Sequence, residues 1–133
     1  MKIRQSIKGK YRPKNPDKYV GKVRGIIYRS MLERRVMVYL DKSPKIAEWS
    51  SEEIYIPYKD PDDGRNRNYY PDFTLRTTDG RTIMVEVKPH WQRSWKINKA
   101  KWKSASEYCE SRDIEFRVLT EREIYGKEKK TVS

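Results

Sequence analysis

Cysteine and histidine are almost absent from this sequence, which limits the chemistry that it can support. Cys109 is the single cysteine and His90 the single histidine among 133 residues. One cysteine excludes an internal disulfide and any zinc site built from several cysteines, and a lone histidine does not make a zinc site. A reducing, intracellular setting therefore fits the sequence best.

Long apolar runs are also missing. No stretch approaches the roughly 20 apolar residues of a membrane-spanning helix, and the opening MKIRQSIKGK lacks the apolar centre of a secretion signal. Apolar residues make up 35% of the chain and charged residues 38%, so we expect a lean core under a heavily charged surface. The length is that of one domain.

Acidic residues are too few to balance the basic ones. The 31 lysines and arginines exceed the 19 aspartates and glutamates, which gives a formal net charge of +12. This excess favours binding to a polyanion, with DNA as the predicted partner and an anionic membrane surface as the alternative. Sixteen aromatic residues are many for so polar a chain, and base stacking is a candidate use for some of them.

The first 25 residues are the most basic part of the chain. Nine basic residues stand there against a single acid, Asp17, and prolines and glycines interrupt the stretch. We predict a basic N-terminal arm over residues 1–25 without regular structure, with Arg12 and Lys14 among its DNA contacts. A tail that only improves solubility is the alternative.

Hydrophobic periodicity predicts an α/β fold with the element order α-β-β-β-α-β. Ser30 and Glu33 have the capping-box spacing of a helix start. The apolar stripe expected on that helix consists of Leu32, Val36, Tyr39 and Leu40. The other predicted elements are strands near residues 54–58, 69–76, 81–88 and 114–119, a helix over 94–111 with Trp95, Trp102, Ala105 and Cys109 on its inner side, a short helix from Thr120, and a polar tail over 126–133. One mixed sheet flanked by helices follows from this order.

Two of these strands place charges inside apolar, β-branched segments. Asp72 lies on one strand of a predicted hairpin, and Glu86 and Lys88 lie on the next. Because strand side chains alternate, Glu86 and Lys88 share one face, opposite Ile83 and Val85. Buried charges cost stability unless they are compensated, and two nearby carboxylates repel each other unless a cation lies between them.

Mg²⁺ suits such a pair of carboxylates, because it prefers oxygen ligands, retains water and bridges carboxylates to phosphate oxygens. We predict that Asp72 and Glu86 bind it and that the backbone carbonyl of Val87 supplies a third ligand. Lys88 would orient or deprotonate the attacking water, or stabilise the phosphate. Mn²⁺ is the expected substitute. The alternative is a solvated charge pair between Glu86 and Lys88, which contributes little.

Context separates this motif from similar patterns in the chain. Pro-Asp occurs three times and the acid-x-Lys pattern twice, but only Pro71-Asp72 and Glu86-Val87-Lys88 fall on consecutive strands of one hairpin. Other blocks accompany them, namely KGKYRPKNPDKYVGK, IIYRSMLERRVMVYLDKSP, WSSEEIYIPY, YYPDF, VEVKP and NKAKWKSASEYCESRDIEFRVLTEREI.

With these blocks the chain resembles the PD-(D/E)xK nuclease superfamily, whose core is restriction-endonuclease-like. Its closer likeness, over about residues 8–125, is to the family of head completion nucleases of T-even-type tailed phages. The transposon endonuclease TnsA is a more distant likeness. The resemblance implies that residues 26–125 form a metal-dependent DNA endonuclease domain acting in phage head completion and DNA packaging. It also implies phage head, portal or neck proteins as partners, with the virion and the host cytoplasm as locations.

The resemblance assigns roles to individual residues. Asp72 falls on the first acid of the superfamily motif, Glu86 on the second and Lys88 on its lysine. Glu33 falls on the acid of the first helix, which in relatives reaches the same metal cluster. The capping role of Glu33 explains the residue equally well, and the two roles do not exclude each other.

Residues around the motif are further candidates. Glu53, rather than Glu52, is the expected acid near the site. His90 directly follows the motif, where proton transfer competes with an exposed loop position as its explanation. The predicted DNA contacts are Arg12, Lys14, Arg29, Arg93, Lys96, Lys99 and Lys101.

Two other functions remain open at this point. The first is a structural virion protein that binds DNA ends or the head portal and whose nuclease site is incidental or silent. The second is a junction-resolving or transposon-type nuclease, which would usually be a dimer. Neither the preferred DNA structure nor the oligomeric state follows from the residues.

Overall fold

The computed structural model describes residues 8–92 and 94–132, with side chains for 8–92 and 94–126. Eight strands run over Gly9–Lys10 (β1), Ile27–Tyr28 (β2), Ile46–Ser51 (β3), Ile56–Lys59 (β4), Asn66–Tyr69 (β5), Phe73–Thr77 (β6), Thr82–Val87 (β7) and Glu115–Leu119 (β8). Three α-helices run over Met31–Lys42 (α1), Lys96–Glu110 (α2) and Glu121–Val132 (α3). Short 3-10 turns lie at Pro16–Lys18, Val23–Gly25 and His90–Gln92.

A four-stranded mixed sheet organises the domain, in the order β3-β6-β7-β8. The first three strands are antiparallel neighbours, while β7 and β8 are parallel, with α2 as the connection between them. Leaving aside the small sheets, the core follows α1-β3-β6-β7-α2-β8. The predicted order α-β-β-β-α-β and the α/β, restriction-endonuclease-like class are therefore confirmed.

The first strand of the core is not the one that the sequence indicated. It is β3, whose pairing with β6 shifts register between Ile46 and Glu48. Such an irregularity breaks the simple alternation on which sequence patterns depend. The strand expected near residues 54–58 begins at Ile56 and pairs outside the central sheet with β5. Most of β5 lies outside the predicted strands, because three of its four residues are polar and exposed and give no strand signal.

The central strand β7 separates two apolar clusters, as its alternation predicts. Ile83, Val85 and Val87 belong to a cluster that contains Val36, Met37 and Leu40 of α1. Met84 points to the opposite face of β7 and packs with Ala105 and Cys109 of α2 and with the hairpin of β4 and β5. The two faces of the sheet are therefore covered by different helices.

The N-terminal segment packs onto the domain from residue 8 onward. β1 pairs with β2, and Tyr11, Tyr19 and Ile26 are buried in the cluster beneath α1. The Tyr19 ring meets the Trp49 ring edge-on, with centroids 4.8 Å apart. The expectation that residues 1–25 lack regular structure is therefore wrong for β1 and for the two 3-10 turns. Residues 1–7 of the proposed arm lie outside the described residues, and its boundary at residue 25 stays a prediction.

Helix ends agree better with the sequence than helix faces do. Ser30 Oγ accepts a hydrogen bond from the Glu33 N–H at 3.1 Å, and Glu123 Oε1 accepts one from the Thr120 N–H at 2.6 Å, so both predicted capping sites are confirmed. Tyr39 and Trp95, expected in apolar stripes, are instead exposed. The backbone of α3 continues through Val132, across most of the polar tail predicted over 126–133. No helix among the described residues is long and apolar enough to cross a membrane.

Candidate active site

The motif acids lie where β6 begins and β7 ends. Asp72 directly precedes β6, Glu86 lies in β7, and Lys88 follows that strand. Asp72 Oδ2 accepts a hydrogen bond from the Val87 N–H at 2.7 Å, and the Asp72 carbonyl accepts one from the Glu52 N–H at 3.1 Å. The antiparallel pairing of β6 with β7 therefore holds the Asp72 carboxylate against the backbone of the acid-x-Lys segment.

Glu86 is buried without the hydrogen bonds that a buried carboxylate needs. Glu86 is only 3% exposed, and its Oε2 lies 3.4 Å from Lys88 Nζ. That separation exceeds the roughly 2.7–2.9 Å of a charge-assisted hydrogen bond. Glu86 Oε1 makes no well-formed hydrogen bond within the described residues, although the nearby Tyr69 hydroxyl interacts with this carboxylate. A carboxylate left in this state favours a ligand that supplies positive charge.

Asp72 shares this excess of negative charge. Burial raises the pKa of Asp72 well above its usual range, and the nearby carboxylates of Glu86 and Glu33 raise it further. The Val87 N–H and the Lys88 ammonium act in the opposite direction but do not offset these effects. A nearby positive charge would lower the pKa of Asp72 towards its ordinary value, so the site lacks positive charge to balance its carboxylates.

Glu33 combines a capping role with a position near these acids. Its Oε1 accepts a hydrogen bond from the Arg29 N–H at 3.0 Å, at the start of α1. Burial raises the pKa of Glu33, and the charges of Glu52 and Glu86 raise it further, so the helix start faces the carboxylate site. Among the described residues, no group of three or more His, Cys, Asp or Glu side chains has a metal-binding arrangement.

Comparison with known proteins agrees with this geometry. The family model of the TnsA-like endonuclease N-terminal domain matches residues 43–121, which include β3, the Asp72–Lys88 hairpin and α2. The head completion nuclease of Enterobacteria phage T4 is 34% identical over 135 residues, covering 85% of this chain and 90% of that protein. This chain belongs to the TnsA-like endonuclease family. Its predicted resemblance to the head completion nucleases and to the PD-(D/E)xK superfamily is confirmed.

Within this TnsA-like domain, Glu52 lies on the side of the site where Glu53 was expected. Two of the three Arg29 side-chain nitrogens, Nε and Nη2, donate to the Glu52 carboxylate at 3.1 Å, and Glu52 raises the pKa of Glu33. Glu53 instead accepts a hydrogen bond from the Tyr19 hydroxyl at 3.2 Å, in the N-terminal segment. The cause is the positive φ of 55° at Glu52, because a left-handed residue breaks the alternation used to assign these faces.

The other predicted residues occupy different surroundings. The His90 N–H donates to Glu121 Oε1 at 2.9 Å, which ties the segment after the motif to the start of α3. The predicted DNA contacts Arg12, Lys14, Lys96 and Lys99 are exposed, Arg29 is paired with Glu52, and Lys101 is half-buried. Arg93 lies outside the described residues. DNA binding by these residues stays a prediction.

Three residues beside Glu86 were not assigned to the catalytic site from the sequence, although Lys101 among them was predicted as a DNA contact. The Tyr69 hydroxyl and Trp102 Nε1, like Glu86 Oε1, are buried without a well-formed hydrogen bond in the described part of the chain. Burial raises the pKa of Tyr69, and both the charge of Glu86 and a hydrogen-bonding interaction with it raise that pKa further, which places the hydroxyl beside that carboxylate. The only sequence signal was the position of Tyr69 next to the YPD string and of Trp102 on the inner side of α2.

Lys101 is the third of these residues. Its ammonium lies 5.7 Å from the centroid of the Tyr69 ring and 6.0 Å from that of Tyr58. Burial lowers the pKa of Lys101, and the nearby Lys88 lowers it further, while the charges of Glu86 and Asp72 oppose this change. The TnsA-like domain therefore brings two lysines, from different elements, to the same carboxylate pair.

Proposed function

We propose that this chain is a metal-dependent DNA endonuclease that hydrolyses phosphodiester bonds during phage head completion and DNA packaging. One observation carries the proposal, namely that Asp72 and Glu86 meet in a buried place where their combined charge lacks compensation. Membership of the TnsA-like endonuclease family supports the nuclease activity. The head completion role rests on the likeness to the phage T4 protein of that name.

A divalent cation with oxygen ligands fits the residues present. Glu86 Oε1 makes no well-formed hydrogen bond among the described residues, Asp72 has one oxygen that accepts from Val87, and the pair has excess negative charge. Asp72, Glu86 and the Val87 carbonyl would hold the ion, with Glu33 as a further candidate, and Mg²⁺ suits so few protein ligands because it retains its waters. Mn²⁺ would substitute for it. When bound there, the ion would activate water and neutralise charge on the phosphate.

The two lysines would complete the chemistry. Lys88, whose Nζ lies 3.4 Å from Glu86 Oε2, would orient the attacking water and hold a non-bridging phosphate oxygen. The water oxygen forms the new bond to phosphorus, the phosphodiester oxygen leaves, and a proton passes to that leaving oxygen. Lys101, whose pKa is lowered, adds a positioning charge beside Lys88. The exposed basic residues Lys96 and Lys99 would contact phosphates, so that DNA affinity falls steeply with salt.

Plasmid cleavage tests this proposal. Supercoiled plasmid is incubated with the wild type, Asp72→Ala and Asp17→Ala, in Mg²⁺ and in EDTA, and DNA binding is measured in Ca²⁺. We expect the wild type and Asp17→Ala to nick only with the metal, and Asp72→Ala to bind without cutting. Asp17 is the matched control because it follows a proline on an exposed turn far along the chain from the hairpin.

A different result would favour the structural alternative. If no form of the protein cuts any DNA while all bind it equally, the chain is better described as a DNA-end-binding or portal-binding virion protein with a silent site. The mass in solution separates a third case, because a junction-resolving nuclease would be a dimer. The proposed partners are DNA and phage head, portal or neck proteins, in the virion and the host cytoplasm.

A further inference from the structure

Two tryptophans are exposed beside the candidate active site. Trp91 is 66% exposed and Trp95 is 44% exposed, and their rings meet edge-on with centroids 5.1 Å apart. In contrast, Trp49 is fully buried in the core. Large aromatic side chains are usually at least mostly buried, so a pair of them in solvent is characteristic of a binding surface.

The backbone holds this pair in place. The Trp95 N–H donates to the Gln92 carbonyl at 3.2 Å, and the Gln92 N–H donates to the Pro89 carbonyl at 2.9 Å. Asn98 Nδ2 also donates to the Gln92 carbonyl at 2.9 Å. These bonds fix the turn on which the rings stand, so less entropy is lost when a ligand binds to them.

The pair is close to the motif lysine. Trp91 follows Lys88 by three residues, and three residues of chain reach at most about 11 Å. A second exposed aromatic pair, Tyr55 and Tyr70, has ring centroids 5.9 Å apart. Tyr70 precedes Asp72 by two residues. Exposed aromatic rings therefore border the site next to both of its strands.

We propose that Trp91 and Trp95 stack on unpaired bases next to the scissile phosphate, so that the substrate is DNA with single-stranded or frayed nucleotides at the cut. This inference rests on the proposed nuclease function and names its substrate class. The net charge of +12 and the exposed lysines of α2, Lys96 and Lys99, fit a polyanion. Stacking requires a free base face, which a paired duplex does not offer and which an unpaired strand does.

Binding to matched oligonucleotides tests the inference. The probes are a short single strand, the same strand with abasic sites, and the fully paired duplex, each with the full chain in Ca²⁺. We expect the wild type to prefer the base-carrying single strand over the abasic strand, with quenching of tryptophan fluorescence. Trp91→Ala/Trp95→Ala should bind the base-carrying strand about tenfold more weakly and the abasic strand unchanged.

Two further variants keep the test decisive. Trp91→Phe/Trp95→Phe should retain most of the preference, because a phenyl ring still stacks. Tyr39→Ala is the matched control, because it also removes an exposed aromatic ring. Tyr39 lies on α1, in a groove lined by Arg35 and Tyr125 rather than next to the tryptophan pair, so this variant should behave as the wild type. Thermal unfolding of each variant checks that it is folded.

Several outcomes would overturn the inference. It fails if the wild type binds the abasic and base-carrying strands equally, or if the double alanine variant keeps the wild-type preference. These results are separate from the nuclease test. Metal-dependent cutting without base preference would remove the stacking role and leave the nuclease. A preference for base-carrying strands without any cutting would support the stacking role and contradict the nuclease function.

Discussion

Two buried carboxylate sites in this chain have opposite surroundings. Asp41, in α1, is 0% exposed, and its oxygens accept hydrogen bonds from the Tyr11 hydroxyl at 2.7 Å, the Lys14 N–H at 2.7 Å and the Asn15 N–H at 3.0 Å. Glu86, in β7, is about as deeply buried, but one of its oxygens makes no well-formed hydrogen bond among the described residues and the other lies 3.4 Å from a lysine.

The difference appears in the protonation of the two sites. Burial by itself would raise the pKa of Asp41, but its hydrogen bonds outweigh burial and lower it. At Asp72, burial and the neighbouring carboxylates raise the pKa well above its usual range. A buried acid supplied with donors stabilises the fold, whereas a buried acid without them leaves room for a ligand. From this comparison we propose that Asp41 is structural and that the Asp72 and Glu86 pair is functional.

The largest effect that separates the two sites should be on cleavage. Asp72→Ala removes a predicted metal ligand, and even residues that only support metal ligands change activity by about 10–100-fold. We therefore expect plasmid cleavage to fall by well over about 100-fold, while thermal unfolding shows that the variant is still folded at the assay temperature. Cleavage that survives this substitution would remove Asp72 from the chemistry.

The converse substitution should act on stability alone. Asp41→Asn leaves the Tyr11, Lys14 and Asn15 donors facing an amide that cannot accept all of them, and each unpaired buried donor costs about 1–3 kcal/mol. We expect the free energy of unfolding to fall by about 2 kcal/mol in urea titrations. Cleavage per folded molecule should be unchanged, and a selective loss of activity would contradict the structural role of Asp41.

A smaller effect should follow from removing the second lysine. Lys101→Met should lower kcat about tenfold, the lower limit for residues that support a metal site, without loss of stability because a half-buried ammonium disappears. Lys99→Met, on the exposed side of the same helix, should raise KM instead and leave kcat unchanged. If both variants change only KM, Lys101 is a DNA contact rather than a positioning residue.

The smallest effect should be a gain in stability at the functional site. The pKa of Asp72 in the folded protein is raised above its ordinary value of 3.8. Protonated Asp72 therefore stabilises the fold below pH 3.8, and this contribution is lost as the pH rises through the raised pKa of the folded protein. Asp72→Asn should therefore raise the unfolding free energy of the metal-free protein at neutral pH, by about 0.5–2 kcal/mol. The pH dependence of stability at Asp41 has the opposite sign, because the contribution of its carboxylate is lost as the pH falls through its lowered pKa.

Thermal unfolding measured as a function of pH, in EDTA, tests both pH dependences of stability. The difference between Asp72→Asn and the wild type should grow as the pH rises and should shrink when Mg²⁺ is added to the wild type. A wild type that is more stable than Asp72→Asn at neutral pH without metal would show that Asp72 is already compensated.

Local patterns of the sequence were enough for the fold class, the helix starts and the motif, but not for the first strand of the core. Capping boxes at Ser30 and Thr120 mark helix starts because their hydrogen bonds join residues three apart. Glu86 faces away from Ile83 and Val85 because side chains alternate along β7. The predicted hairpin of β6 and β7 is confirmed for the same reason, since its strands are neighbours in the chain.

Long-range packing decided the rest. Whether a carboxylate is satisfied depends on donors from distant segments, as when Tyr11, thirty residues away, binds Asp41. The positive φ at Glu52 and the register shift in β3 arise where segments adjust to each other, so alternation did not assign Glu52 or the first core strand. The sequence by itself determined which acids and lysine could form a site. Only the tertiary structure decided which carboxylates lack hydrogen-bond donors and which tryptophans remain in solvent, because burial and hydrogen bonding are set by the whole fold.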